Sequence, residues 1–152
     1  MLLAGLAVAG AECSRVRTET FLIPEGRGSG WCVVMHNRPG KPKVSHTAFG
    51  DTFAFPDSGV LCTSEPIDRD WSYTRYFLVR ADGTRVPLEL DSMIWQAGAF
   101  QIGNAGSPCA VEGVHFFYGS REALRRGPAD TWHASAVREC APECVSVLQV
   151  GQ

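Results

Sequence analysis

The chain is nearly without lysine: of its 14 basic residues only Lys41 and Lys43 are not arginine. Set against 16 acidic residues, this leaves a net charge of −2. The basic surplus that marks a nucleic-acid or anionic-membrane binder is therefore missing, and neither partner is expected. Nor is there an apolar run long enough to span a bilayer. The opening MLLAGLAVAGAEC is the nearest approach, and a ten-residue helical stretch rises only about 15 Å, half the hydrocarbon thickness. Local catalytic signatures are absent too. No Gly-x-Ser-x-Gly elbow, no Gly-Lys-Ser/Thr phosphate loop and no Cys-x-x-Cys pair occurs. Gly26, Gly28 and Gly30 are spaced one residue away from the dinucleotide fingerprint, and they lead into a strand-like run rather than a helix N-terminus, so they are expected to be architectural.

What is present points to export. The apolar start ends in Ala9-Gly10-Ala11, small residues that fit a signal-peptidase cut before Glu12. Residues 1–11 are thus expected to be a secretory signal remnant and residues 12–152 a single β-rich domain. Glu12 stands where a small residue is required before a lipid-bearing cysteine, so soluble export is expected rather than a lipid anchor on Cys13. All six cysteines (Cys13, Cys32, Cys62, Cys109, Cys140 and Cys144) lie beyond that cut. An even count in an exported chain predicts disulfides, up to three, whose pairing the sequence leaves open. Cys140 and Cys144 are close enough in sequence to pair locally. With His133 they also form a zinc-like set, but oxidation is the better account outside the cytosol, so neither metal nor cofactor is expected.

The composition, 45% apolar and 20% charged, suits one globular domain. Short β-prone runs at Thr18–Ile23, Trp31–His36, Phe49–Phe55, Met93–Ile102 and Val114–Tyr118 are separated by turn residues. In YFLVRADGTRVPLEL, two such arms flank Asp82-Gly83, the pair a tight hairpin demands. One helix is predicted after Ser120, ending at Gly127-Pro128, and a second over Asp130–Cys140. The fold class expected is mainly β: a β-sandwich or partly open barrel with one or two short helices near the C-terminus.

For recognition, the stretch EPIDRDWSYTRY (65–76) mixes both charges with Trp71, Tyr73 and Tyr76. Arginine, tryptophan and tyrosine dominate interface hot spots, which makes Asp68, Arg69, Asp70 and Trp71 candidate partner-binding residues. The same pattern also suits core aromatics beside a solvated loop. Arg27, at the tip of the glycine loop, is a further candidate. His36, His46, His115 and His133 stand in unrelated contexts, each better read as surface or hydrogen-bonded core than as a general base.

Taken together, FLIPEG followed by GW, FPDSGVLCTSEP, YFLVRADGTRVPL and FFYGS resemble a small bacterial envelope domain family of unknown function, from about Phe21 to Leu124. The resemblance implies export, a compact β-rich domain and, at Pro24-Glu25-Gly26 and Gly30-Trp31, the family's connection between its first two strands. It assigns no activity. Extra cysteines and a longer tail after Arg126 depart from the family pattern. The function expected is a non-enzymatic periplasmic binding protein. Its sharpest form is an immunity protein that neutralises a toxin encoded nearby, such as a type VI lipase effector. The alternatives are a small secreted hydrolase or an envelope ligand-binding domain. A pocket holding a histidine within hydrogen-bond reach of a serine or carboxylate would favour the hydrolase.

Overall fold

The structure is a computed structural model that describes residues 16–70, 72–127 and 132–148. Among the described residues, nine strands form two sheets that pack face to face without closing into a barrel. The first sheet contains β1 (Arg17–Pro24), β3 (Ser45–Thr47), β4 (Gly50–Ala54), β6 (Ser72–Val79) and β7 (Arg85–Leu88), in the order β3-β4-β1-β6-β7. The second contains β2 (Gly30–Met35), β5 (Val60–Cys62), β8 (Ile94–Ile102) and β9 (Val111–Tyr118), in the order β5-β2-β9-β8. β1 runs parallel to both β4 and β6, and β2 runs parallel to β5. Gly50 lies at φ +141°, and a Cβ there would fall 1.8 Å from the Thr18 carbonyl oxygen, so the β1–β4 approach requires glycine.

Period-two alternation explains the inner core. Phe21 and Ile23 from β1, Phe53 from β4 and Tyr76 from β6 meet Cys32 and Val34 from β2, Ile94 from β8 and Phe116 from β9. Ring pairs hold this layer together, with Phe21 4.9 Å from Phe53 and Tyr76 4.8 Å from Phe116 between centroids. The outer face of the second sheet carries another core. Val33, Met35, Val60 and Val111 are covered there by Ala136, Val137, Cys140, Ala141 and Cys144. β2 is therefore buried on both faces, which is why WCVVM reads as an unbroken apolar run.

The cover consists of α2 (Trp132–Cys140), a single 3-10 turn at Pro142–Cys144 and α3 (Val145–Leu148). It follows α1 (Arg121–Arg126), whose N-cap Ser120 accepts the Ala123 amide at 3.1 Å. The second predicted helix is found from Trp132; Asp130 and Thr131 lie outside the described residues. Two disulfides fasten the cover: Cys62–Cys140 and Cys109–Cys144. The local Cys140–Cys144 pairing is thus corrected, because each of these cysteines faces a different partner in the second sheet and its loops. Cys32 is also corrected as a disulfide candidate: it is fully buried in the inner core and carries a free thiol, pushed up to about 12 by burial. Cys13 lies outside the described residues. Arg38 is the one strongly buried cation among the described residues. Its Nε donates to the Cys140 carbonyl at 3.2 Å and its Nη2 to Glu143 at 2.8 Å, so it caps the C-terminal end of α2.

The glycine loop carries the chain from one sheet to the other. Glu25–Arg27 form one 3-10 turn, and Gly28 at φ +71° re-aims the backbone into β2. Arg27, expected at the loop tip, turns back instead. Its guanidinium donates to the Trp31 carbonyl and lies over Gly59, where a Cβ would sit 1.8 Å from Nη1. Arg27 thus forms a strut between two loops.

Candidate binding site at the open end of the sandwich

Because β1, β4 and β6 are parallel, all three begin at the same end, with Thr18 level with Gly50 and Tyr73. Along their inward faces, the aromatic core gives way to charge as this end is approached. Phe21 and Ile23 are preceded by Glu19 and Arg17, Phe53 by Asp51, and Tyr76 by Thr74 and Ser72. Charged residues at inward strand positions need partners, and they have them. Arg17 Nη2 makes a two-oxygen contact with Asp51 at 2.7 and 2.9 Å, while Nη1 donates to Asp68 at 2.8 Å. His46 Nδ1 lies 2.7 Å from Asp51, and its Nε2 lies 3.1 Å from Glu65. Glu19 accepts from the Ser72 hydroxyl at 3.0 Å.

The loop from Thr63 to Asp70 crosses this mouth and is held at several points. The Thr63 hydroxyl donates to the Pro42 carbonyl at 2.9 Å and the Asn37 amide to the Glu65 carbonyl at 2.9 Å. Arg69 pairs with Glu112 of β9 at 2.8 Å, and the Asn37 side chain donates to the other Glu112 oxygen at 2.6 Å. The loop leaves a cleft on either side. One, of about 300 Å³, is lined by Arg17, His36, His46, Asp51 and Glu65. The other, of about 390 Å³, is lined by Arg69, Ser72, Phe100, Gln101 and Glu112.

These contacts set the protonation of the mouth. Hydrogen bonds to Glu65 and Asp51 raise His46 above the ordinary imidazole value. Burial pushes Asp51 upward, but hydrogen bonds from His46 and Arg17 outweigh it and hold the carboxyl low. Burial raises Glu19, with Asp51 and Asp68 adding repulsion against the opposing Ser72 bond. Burial lowers His36. His46 thus meets the distance condition for a histidine beside a carboxylate in a cleft. Both of its ring nitrogens face carboxylates, however, an arrangement that suits a cationic clamp rather than a base with a free nitrogen. Among the described residues, no group of three or more histidine, cysteine, aspartate or glutamate side chains is arranged to hold a metal ion.

Of the candidate loop residues, Asp68 is tied to Arg17 and its Oδ1 accepts the Asp70 amide at 2.9 Å. Arg69 and Asp70 are exposed, and Trp71 lies outside the described residues. The two readings of the loop aromatics divide: Tyr76 is core, while Tyr73 faces water at 64% exposure. Tyr73 is joined at the same end by Val16, 67% exposed, and Phe49, 84% exposed. The Phe49 carbonyl accepts the Thr18 amide at 3.3 Å, which places it at the start of β4 beside β1. Sequence reasoning missed Arg17, His46, Asp51 and Glu112. The available signal lay in RTETFLI, where the inward positions switch from arginine and glutamate to phenylalanine and isoleucine.

A two-sheet β-sandwich gathers its loops at its two ends, and such a fold alone assigns no activity. The chain belongs to the family of unknown function DUF6843, which it matches over residues 15–122. The helical cover, and with it Cys140 and Cys144, lies beyond the matched stretch. A crystal structure of a candidate lipoprotein from Bacillus anthracis shares the fold, with a TM-score of 0.58 at 17% identity over 88% of this chain and 96% of that one. No curated protein matches the sequence. Among the described residues, no helix is long and apolar enough to cross a membrane.

Proposed function

We propose that the chain is an exported, non-enzymatic binding domain of the bacterial envelope that grips a protein partner with the strand-start end of its first sheet. The observation carrying this reading is the row Val16, Phe49 and Tyr73. Three of the five large exposed apolar side chains among the described residues lie at one end, the end that also carries Arg17, Asp51, Asp68 and Arg69. Exposed apolar side chains close to charged ones are what a protein interface offers. The ion pairs pin the loop before a partner arrives, which reduces the ordering that binding requires. In its sharpest form the partner is a toxin encoded nearby, neutralised in the periplasm, with this end plugging its cleft. The His46–Asp51 pair is what favours the hydrolase alternative, and the double engagement of that ring weighs against it.

The test is rescue by co-expression. The product of the adjacent gene is directed to the periplasm with and without this chain, and survivors are counted. Toxicity relieved by the wild type, but not by Phe49→Ala/Tyr73→Ala, supports both the role and the surface. Toxicity without rescue overturns the toxin-neutralising form.

A further inference from the structure

Three of the four sheet edges are blunted. β3 and β5 are three residues long, and β7 carries Arg85 and Pro87. Short length, charge and proline are the devices that keep edges from pairing. β8 has none of them. It is nine residues long (IWQAGAFQI), pairs with β9 alone, and lies in a stretch from Ser92 to Val111 that contains no charged residue. Its first turnward portion is protected: the Asp91 amide donates to the Ile94 carbonyl at 3.0 Å, and a bulge between Trp95 and Gly98, with Gln96 at φ +51°, bends the strand. From Gly98 to Ile102 the ladder with β9 is regular, and among the described residues no strand lies on the opposite edge.

An open edge presents N–H and C=O groups at fixed intervals, and the group that satisfies them best is another extended strand. We propose that this strand is β8 of a second copy of the chain, laid antiparallel about a two-fold axis through Phe100. In that register Phe100 faces its own counterpart, Ala99 faces Gln101 of the other copy, and Gly98 faces Ile102. A two-fold interface sets each surface against itself, so a charged edge would repel its copy; this edge carries no charge to do so. Phe100 already packs on Trp132, 4.9 Å between centroids, so the paired rings meet beside a formed aromatic wall. The two four-stranded sheets become one of eight strands. This inference does not depend on the partner reading above.

Sedimentation velocity on the full exported chain, disulfides intact, from about 1 to 100 µM, tests it. The wild type is expected to pass from monomer to dimer with concentration. Ala99→Lys with Gln101→Lys sets lysine against lysine twice across the axis, and should weaken association about tenfold or more. Ala99→Glu with Gln101→Lys turns both into opposite-charge pairs and should restore it. Both side chains are exposed, so an unchanged far-ultraviolet circular dichroism spectrum certifies that the variants fold. A wild type that stays monomeric overturns the proposal and leaves the edge to a strand from another protein. A dimer that survives the paired lysines, or fails to return on the charge swap in a folded variant, overturns it equally.

Discussion

Replacing Arg38 by methionine separates the contribution of an ion pair from that of a helix cap. The guanidinium is buried, its side chain only 9% exposed, while its partner Glu143 is 62% exposed. Once the arginine is gone, Glu143 returns to water, and little is lost from that half of the contact. The Cys140 carbonyl fares differently. It belongs to a residue 4% exposed at the end of α2, and a buried acceptor left without its donor costs about 1–3 kcal/mol. Loss of a cation at the negative end of the helix adds about 0.3–1 kcal/mol. Methionine keeps much of the apolar stem, and relief of the buried charge offsets part of the loss. The net expectation is about 2–3 kcal/mol, or a melting temperature lower by roughly 5–10 °C for a chain of this size. Glu143→Gln, by contrast, should cost less than about 1 kcal/mol. Urea titration followed by tryptophan fluorescence reads both, since Trp132 of α2 stacks on His115 at 4.4 Å and reports the cover. Equal losses in the two variants, or an Arg38→Met protein within about 0.5 kcal/mol of wild type, would refute the capping argument.

Three further outcomes follow from the same structure. Removing Cys62–Cys140 by a double alanine substitution should destabilise by about 4 kcal/mol on the chain-entropy estimate, and removing Cys109–Cys144 by slightly less, because their separations are 78 and 35 residues; an urea midpoint insensitive to both pairs of substitutions would contradict this. The mouth should show two-sided pH dependence. His46, raised from 6.5, contributes stability in full below that value and loses it as pH rises through the folded value, whereas Asp51, lowered from 3.8, contributes above 3.8 and loses it as pH falls through its folded value. An NMR titration of His46 with a midpoint at or below 6.5 would remove the clamp. Finally, Phe49→Ala, Tyr73→Ala and Arg69→Ala should leave folding stability within about 0.5 kcal/mol, while at least one should cost about 2 kcal/mol of partner affinity by calorimetry; unchanged affinity in all three would move the interface elsewhere.

Local chemistry was legible before the fold was known. Asp82-Gly83 does turn the β6–β7 hairpin: Gly83 takes φ +83°, and the Asp82 carboxylate accepts the Thr84 amide at 2.8 Å. Ser120 does cap α1. What escaped the sequence is non-local. β3 and β5 are too short to show a period, and they exist because longer strands offer them an edge. The disulfide choice depends on where α2 lies over the second sheet, which spacing between cysteines does not encode. The mouth was half visible: the 65–70 loop was marked by its composition, but Arg17, His46 and Asp51 come from separate strands, and each is an ordinary polar residue in its own neighbourhood. The inward turn of Arg27 is likewise non-local. A loop arginine usually reaches for solvent, and only the left-handed Gly59 beneath it makes room for the inward turn.

The parallel pairing of β1 has a consequence for the order in which the molecule is built. A hairpin partner would arrive within a few residues, but β1 waits for β4, whose Gly50 matches Thr18 from 32 residues away, and for β6, whose Ser72 matches Arg17 across 55. Such closures are slow compared with the turn at Asp82-Gly83, so the β6–β7 hairpin is the natural early structure, on which β1 docks late. Until then Phe21 and Ile23 have no sheet to enter. For a chain that emerges N-terminus first, the central strand of the first sheet is made early and buried last, and its sticky interval ends only when more than a third of the sequence has followed it.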